Sequence, residues 1–220
     1  MLTKAQKANR KAGNIIIIGG QLGAGKTAAG AAMVYGMVKA NRYKAEDVFS
    51  NTPLFLFDDD EYNYLQDDKQ IIDVLNKLDD DSMADKLIFI DEIDALLGSG
   101  TSRTVSVRIL GYRMGQTRKQ GTTIILCGHD LDDIALPIKR FTTVLCEPEI
   151  DELRNTLTIH RRFVQNFRIN MTPADMRKAR ETLVLNNFSE YCDAGFDSFV
   201  IHKHDEKLQK QLMGNDLNDD

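Results

Sequence analysis

The 220-residue chain has no tryptophan, only four prolines and only three cysteines. Cys127, Cys146 and Cys192 are too few and too scattered for a disulfide framework. No run of about 18 apolar residues exists, so nothing reads as a membrane-crossing helix. The charged N-terminus lacks a signal peptide's apolar segment, and together these absences predict a protein of a reducing cytoplasm. With 42% hydrophobic and 28% charged residues, collagen-like and wholly disordered chains are excluded and a soluble globular protein is expected. Basic excess is missing too: 28 Lys and Arg against 33 Asp and Glu leave a net charge of −5, which excludes uniform coating of nucleic acid. The average conceals an asymmetry. Acid gathers in Asp58-Asp59-Asp60-Glu61, Asp79-Asp80-Asp81 and the tail 215–220, whereas residues 101–120 carry Arg103, Arg108, Arg113, Arg118 and Lys119 and no acid.

What the chain does have is a succession of short apolar runs separated by helical patterns. Ile15-Ile16-Ile17-Ile18, closed by Gly19-Gly20, reads as a strand buried on both faces. The Ala, Met and Val content of 26–39 suits a helix packed closely on a sheet, and 47–51 reads as a second strand. A helix over 69–78, a strand at 87–90, a polar helix over 104–119 and a strand at 122–127 follow. This alternation predicts an α/β fold of three layers around a mainly parallel central sheet. Beyond Arg140, 141–146 and 156–163 alternate more loosely and are expected to add edge strands. Thr172-Pro173-Ala174-Asp175 supplies an N-cap, a first-turn proline and a capping acid, predicting a helix from about 173 to 185. The expected organisation is a basic N-terminal arm (1–12), a core (13–147), a small C-terminal extension of strands and helix (148–214) and a mobile acidic tail (215–220).

Gly20-Gln21-Leu22-Gly23-Ala24-Gly25-Lys26-Thr27 fits the phosphate-loop pattern, and it lies where such a loop belongs, between a strand and a helix. Glycines let backbone N–H groups turn toward phosphate oxygens, Lys26 supplies charge to the β and γ phosphates, and Thr27 can ligate magnesium. Residues 20–27 with Ala28 form the expected nucleotide-contacting set. The strand 87–90 ends in Asp91-Glu92. Asp91 is placed to hold the magnesium shell and Glu92 to activate an attacking water. The two motifs imply nucleoside triphosphate hydrolysis, and a carboxylate beside the metal acid disfavours a small-molecule kinase. Asn76-Lys77-Leu78-Asp79 superficially matches a guanine-specificity pattern, but it lies within a helical pattern before the Asp91 strand, so ATP is the expected nucleotide.

His129, at the end of the next buried strand, is a candidate γ-phosphate sensor, with an ordinary loop histidine as the alternative. Asp130 reads as a cap for the turn that follows. Arg103, Arg108, Arg113, Arg118 and Arg140 are candidates for a trans-acting finger. The first four are spaced by five residues, about 140° per step on a helix, so they cannot share one face. The basic block suits either phosphate contacts to DNA or pairing with acidic clusters. His202-Lys203-His204-Asp205 has no third ligand at metal spacing. Cys127 and Cys146, in apolar runs, read as small hydrophobes rather than nucleophiles.

Taken in order, Gly20 to Thr27, Ser50-Asn51, Ile90-Asp91-Glu92, Arg118-Lys119-Gln120-Gly121 and the strand ending at His129 resemble the FtsK-HerA superfamily of DNA-pumping ATPases. Within it, the chain resembles viral genome-packaging ATPases and the filamentous-phage assembly and zonula occludens toxin-like group. The resemblance covers about residues 13–147. It implies a ring, commonly a hexamer, that couples ATP hydrolysis to DNA movement through a central pore. It places Lys26, Thr27, Asp91 and Glu92 at the family's catalytic positions, and Arg118 where a trans-acting arginine can stand. The family generally has glutamine where this chain has His129, which can donate the same kind of hydrogen bond. Without the transmembrane segment of the filamentous-phage proteins, packaging into a preformed capsid is the expected role, with DNA and a capsid vertex protein as partners. The alternatives are an assembly factor that does not move DNA and, less favoured, a small-molecule kinase.

Overall fold

The aliphatic runs of the sequence lie side by side in the computed structural model, which describes residues 12–54, 57, 61–97, 105–129, 134–151, 153–164 and 180–186. The strands are β1 (Ile15–Gly19), β2 (Val48–Ser50), β3 (Asn63–Tyr64), β4 (Leu87–Ile90), β5 (Thr123–Gly128), β6 (Val144–Asp151), β7 (Thr156–Phe163) and β8 (Arg180–Asn186). They form one sheet in the order β3-β2-β4-β5-β1-β6-β7-β8. From β3 to β6 every pairing is parallel; β7 and β8 join antiparallel. The helices are α1 (Lys26–Lys39), α2 (Asp68–Asn76), α3 (Ile93–Leu97), α4 (Val105–Thr117) and α5 (Leu136–Lys139).

Alternation within each strand builds two cores. On one face Ile15, Ile17, Ile88, Ile90, Ile124 and Leu126 meet α2 to α5. On the other, Ile16, Ile18, Phe89, Ile125 and Cys127 meet α1. A run in which every residue is apolar is what a strand covered by helices on both sides requires. The result is the three-layer α/β arrangement expected from the sequence.

α1 lies against the sheet because its inward face is almost without side chains: Ala28, Ala29, Gly30, Ala31 and Val34 are buried. At Gly30 the approach is closest. A Cβ there would stand 2.3 Å from Cε2 and 2.5 Å from Cζ of Phe89, a fully buried ring.

Connections from β1 and β5 leave in opposite directions. α1 carries the chain from β1 across β5 and β4 to β2, whereas β5 leads through α5 back across β1 to β6. The crevice at the carboxyl ends of β1 and β5 is therefore the place where an open α/β sheet receives a ligand.

Two elements depart from expectation. β6 continues to Asp151 and so runs five residues past its last pairing with β1, Ile18 with Cys146. Residues 180–186 form a strand where a helix was expected to reach 185. Leu183 and Leu185 pack on the α1-side core while Thr182 and Val184 stay outward, a period of two that pairing with β7 rewards over the capping signal at 172–175. Residues 173–179, the arm 1–11, Arg103, Asp130, Cys192, the 202–205 cluster and the acidic tail lie outside the described residues. Among the described residues, no helix is long and apolar enough to cross a membrane.

Two glycines of α1 test this packing in opposite directions. Gly30→Ala should destabilise the protein by about 1–3 kcal/mol, because its methyl must displace the Phe89 ring. Gly36→Ala, exposed and with nothing within 4 Å of the new carbon, should stabilise by about 0.5–1 kcal/mol. Urea midpoints measure both, and equal midpoints for Gly30→Ala and wild type would contradict the close contact.

Candidate functional site

The phosphate loop, 20–27, leaves the carboxyl end of β1 and enters α1. Gly25 caps the helix at φ 86°, a left-handed conformation that disfavours any side chain. Space forbids one as well, since a Cβ would lie 2.6 Å from Ile150 Cδ1. No side chain caps α1 and its first turn contains no acid, so its leading N–H groups and dipole favour an anion. Lys26 folds back over the loop, donating from Nζ to the carbonyls of Gly20 (2.9 Å) and Gln21 (3.0 Å). Leu22 stands exposed at the tip.

Two strands away, β4 delivers Asp91. Thr27 Oγ1 donates to Asp91 Oδ2 at 2.5 Å, which brings a hydroxyl and a carboxylate together. These are hard oxygen donors of the kind magnesium accepts alongside water and phosphate oxygens. The strand end is held by Asn51, a buried residue beyond β2. Its Nδ2 donates to the Asp91 carbonyl at 3.0 Å, and its Oδ1 accepts from the Asp91 N–H at 2.8 Å. Glu92 follows at φ 54°, exposed, with its N–H on Asp91 Oδ1 at 3.0 Å and its carbonyl accepting from Ala95 at 3.1 Å. Such a left-handed non-glycine residue costs about 1–3 kcal/mol and occurs preferentially at functional sites.

His129 follows Gly128, whose Cα partner in β1 is Gly19, so it stands beside the start of the loop. Its Nδ1 lies 2.8 Å from Oδ2 of Asp94, in the first turn of α3. Arg118 sits elsewhere. Its carbonyl accepts from Gly13, ahead of β1, at 2.9 Å. That is the amino-terminal edge of the sheet, about 20 Å from Gly20 at ~3.3 Å per strand residue. Exposed Arg140, before β6, lies toward the same edge. Arg113 is occupied at the foot of α2, with NH1 3.2 Å from Asn76 Oδ1 and Nε 3.4 Å from Asp79 Oδ1. Asn76 and Asp79 thus hold an arginine rather than face a guanine.

Asn51 and Asp94 received no role from the sequence alone. Asn51 entered only as part of the Ser50-Asn51 segment of the family resemblance, with no contact assigned; Asp94, three residues past Asp91, reads as an ordinary first-turn acid. The overhang of β6 was also missed. Pro148, Ile150 and Leu157 of the β6–β7 hairpin border Gly20 and Gly25 and wall one side of the loop. Cys127, whose Sγ contacts the Lys26 carbonyl at 3.5 Å, has its thiol pushed well above the ordinary value by burial. Cys146 is raised to about 12, again chiefly by burial, so both are inert hydrophobes.

Burial raises the Asp91 carboxyl above its usual range, and the Thr27 hydroxyl only partly offsets this. A carboxyl raised in the folded state subtracts nothing from stability below the unfolded pKa, and subtracts fully above the folded one. Asp91→Asn can keep its oxygen on the Glu92 N–H and donate its amide to the Thr27 hydroxyl, which also accepts, so at pH 7 it should unfold at a higher urea concentration than wild type. That advantage should shrink as pH approaches 4; urea titrations at several pH values measure it, and a less stable variant at pH 7 would contradict the raised carboxyl.

Comparison with known proteins gives three similar solved structures and one family match. The N-terminal domain of zonular occludens toxin from Neisseria meningitidis superposes with a TM-score of 0.54 at 15% identity, covering 83% of this chain and 98% of that one. The genome packaging NTPase B204 from Sulfolobus turreted icosahedral virus 2 gives 0.49 at 12% identity over 79% of this chain and 96% of the other. The flagellar accessory protein FlaH from Methanocaldococcus jannaschii gives 0.46 at 17% identity over 80% and 86%. No curated protein matches by sequence. The family profile described as ATPase family associated with various cellular activities (AAA) matches residues 16–170. With that match spanning most of the chain, and a phosphate loop facing a carboxylate at the expected sheet edge, the chain belongs to the AAA family and is a nucleotide-hydrolysing P-loop ATPase.

Proposed function

We propose that this ATPase is a ring-forming motor, commonly a hexamer in the superfamily it resembles, that moves DNA and packages a viral genome into a preformed capsid. The observation that carries the ring is the separation of Arg118 from the nucleotide site of its own subunit. An arginine at the amino-terminal edge cannot reach a phosphate at the carboxyl edge, yet it is exposed and free to meet a neighbour's. The packaging role, with a capsid vertex protein as partner, rests on the resemblance read from the sequence.

In this reading residues 20–28 bind the triphosphate of ATP, and Lys26 exchanges its two carbonyl partners for β and γ oxygens. Thr27 and Asp91 would hold magnesium, which would supply positive charge beside those phosphates. The Glu92 carboxylate takes a proton from the attacking water, His129 contacts the γ-phosphate, and Arg118 stabilises the transition-state charge of the adjoining subunit. DNA meets the outer side of α4 and the turn beyond it. Val107, Leu110 and Met114 bury the inner side, leaving Arg108, Tyr112 and Lys119 exposed to meet phosphates without reading bases.

Glu92→Gln should bind ATP with unchanged affinity and hydrolyse it at least about 100-fold more slowly. Lys26→Ala should lose affinity itself. Single-turnover hydrolysis and equilibrium nucleotide binding separate the two, and near-normal turnover by Glu92→Gln would remove Glu92 from the mechanism. The motor reading is tested by steady-state ATP hydrolysis with and without double-stranded DNA, with mass by light scattering in the same buffer. A ring-sized species stimulated by DNA is expected. Hydrolysis indifferent to DNA, with no DNA binding at low salt, would favour an assembly factor that moves no DNA.

A further inference from the structure

His129 and Asp94 reach each other from different elements of the carboxyl edge, β5 and α3. Asp94 is three-quarters or more enclosed, its side chain 15% exposed against 48% for His129. Oδ2 takes the imidazole Nδ1 at 2.8 Å, and Oδ1 is buried with no hydrogen-bond partner among the described residues. Gly128 makes room for it, since a Cβ there would stand 3.2 Å from Oδ1. Other charged groups at this end of the sheet include Asp91 and Glu92 of the β4–α3 turn, Lys26 of the loop, and Glu147, Glu149 and Asp151 of the β6 overhang; Asp130 lies outside the described residues.

An ionised carboxylate only accepts hydrogen bonds, so the ring nitrogen facing Asp94 carries the proton. A neutral imidazole protonated at Nδ1 has a bare lone pair at Nε2. Phosphate oxygens also only accept. Neutral His129 in this tautomer therefore has nothing to offer a γ-phosphate, whereas the imidazolium, with a second proton at Nε2, donates to it.

We propose that Asp94 is the positioning residue of His129, fixing the Nδ1–H tautomer so that His129 donates to a terminal phosphate through Nε2 only as the imidazolium. This rests on the reading of His129 as the γ-phosphate sensor. A glutamine donates whatever the proton concentration; the Asp94–His129 pair makes the same contact conditional on a second ring proton.

Two measurements on the full chain test it. Side-chain nitrogen NMR shifts of His129, assigned by comparison with His129→Gln, should show the neutral ring protonated at Nδ1; a neutral ring protonated at Nε2 would overturn the proposal. This readout needs no hydrolysis, so it stands apart from the ATPase reading, which Lys26→Ala tests by nucleotide binding. With saturating ATP, wild-type kcat should fall relative to His129→Gln as the pH is raised from 6 to 8. Asp94→Asn, whose amide N–H can donate to Nδ1 and shift the proton to Nε2, should lose that slope. At pH 8 its kcat should exceed that of wild type and approach that of His129→Gln, with KM changed less than about twofold. Superimposable profiles for wild type and His129→Gln, or an Asp94→Asn enzyme matching wild type in kcat and slope, would each overturn it.

Discussion

The hydrogen bond from Thr27 to Asp91 joins two parts of the chain 64 residues apart, across the end of the strand that lies between them. It is made at the second residue of α1 and the first residue beyond β4, so it requires that β1, β5 and β4 keep their register. Ile15 to Gly19 pair with Ile124 to Gly128, and Leu87 to Ile90 with Thr123 to Leu126, so β1 and β5 end together and β4 ends two residues below them, where Asp91 begins. Two hydrophobic cores enforce that register, because a one-residue slip would send every side chain of β5 to the wrong face. The aliphatic runs thus set the height of each functional group as well as filling the interior.

A buried carboxylate with one hydroxyl donor is a costly arrangement, and its surroundings show how it is held. The Asn51 amide grips both backbone groups of Asp91, leaving the side chain no route of escape by rotation of the peptide. The next residue, Glu92, takes up the sharp turn in a left-handed conformation, which aims its carboxylate outward while the chain bends into α3. Pre-organisation of this kind spends folding energy before any ligand arrives and spares reorganisation afterwards.

Much of this was legible in the sequence. The phosphate loop, the strand ending in Asp91-Glu92 and the helix 26–39 were readable because local pattern alone determines them: a glycine spacing, an aliphatic run, a stretch of small residues. The Asn51 clamp and the Asp94–His129 contact were not, because each joins residues distant in sequence through side chains that mark ordinary turns as often as sites. β8 was misread for a different reason. Thr172-Pro173 is a strong local signal for a helix start, yet the alternation of 182–185 against β7 prevails where the described chain resumes. The extent of β6 was hidden because its overhang is stabilised by β7 and by the loop glycines it abuts, neither visible in its own residues.

In the proposed ring, Arg118 at the amino-terminal edge of one subunit serves a site at the carboxyl edge of the next. A two-fold pair meets that requirement only with its subunits antiparallel, each amino-terminal edge beside the partner's carboxyl edge. Subunits that follow one another around an axis instead bring one surface against a different surface of the next, a heterologous contact whose repetition gives a closed ring or an open helix. In that arrangement two copies alone would leave one arginine without a phosphate and one site without an arginine, so only closure of the circle would complete every site.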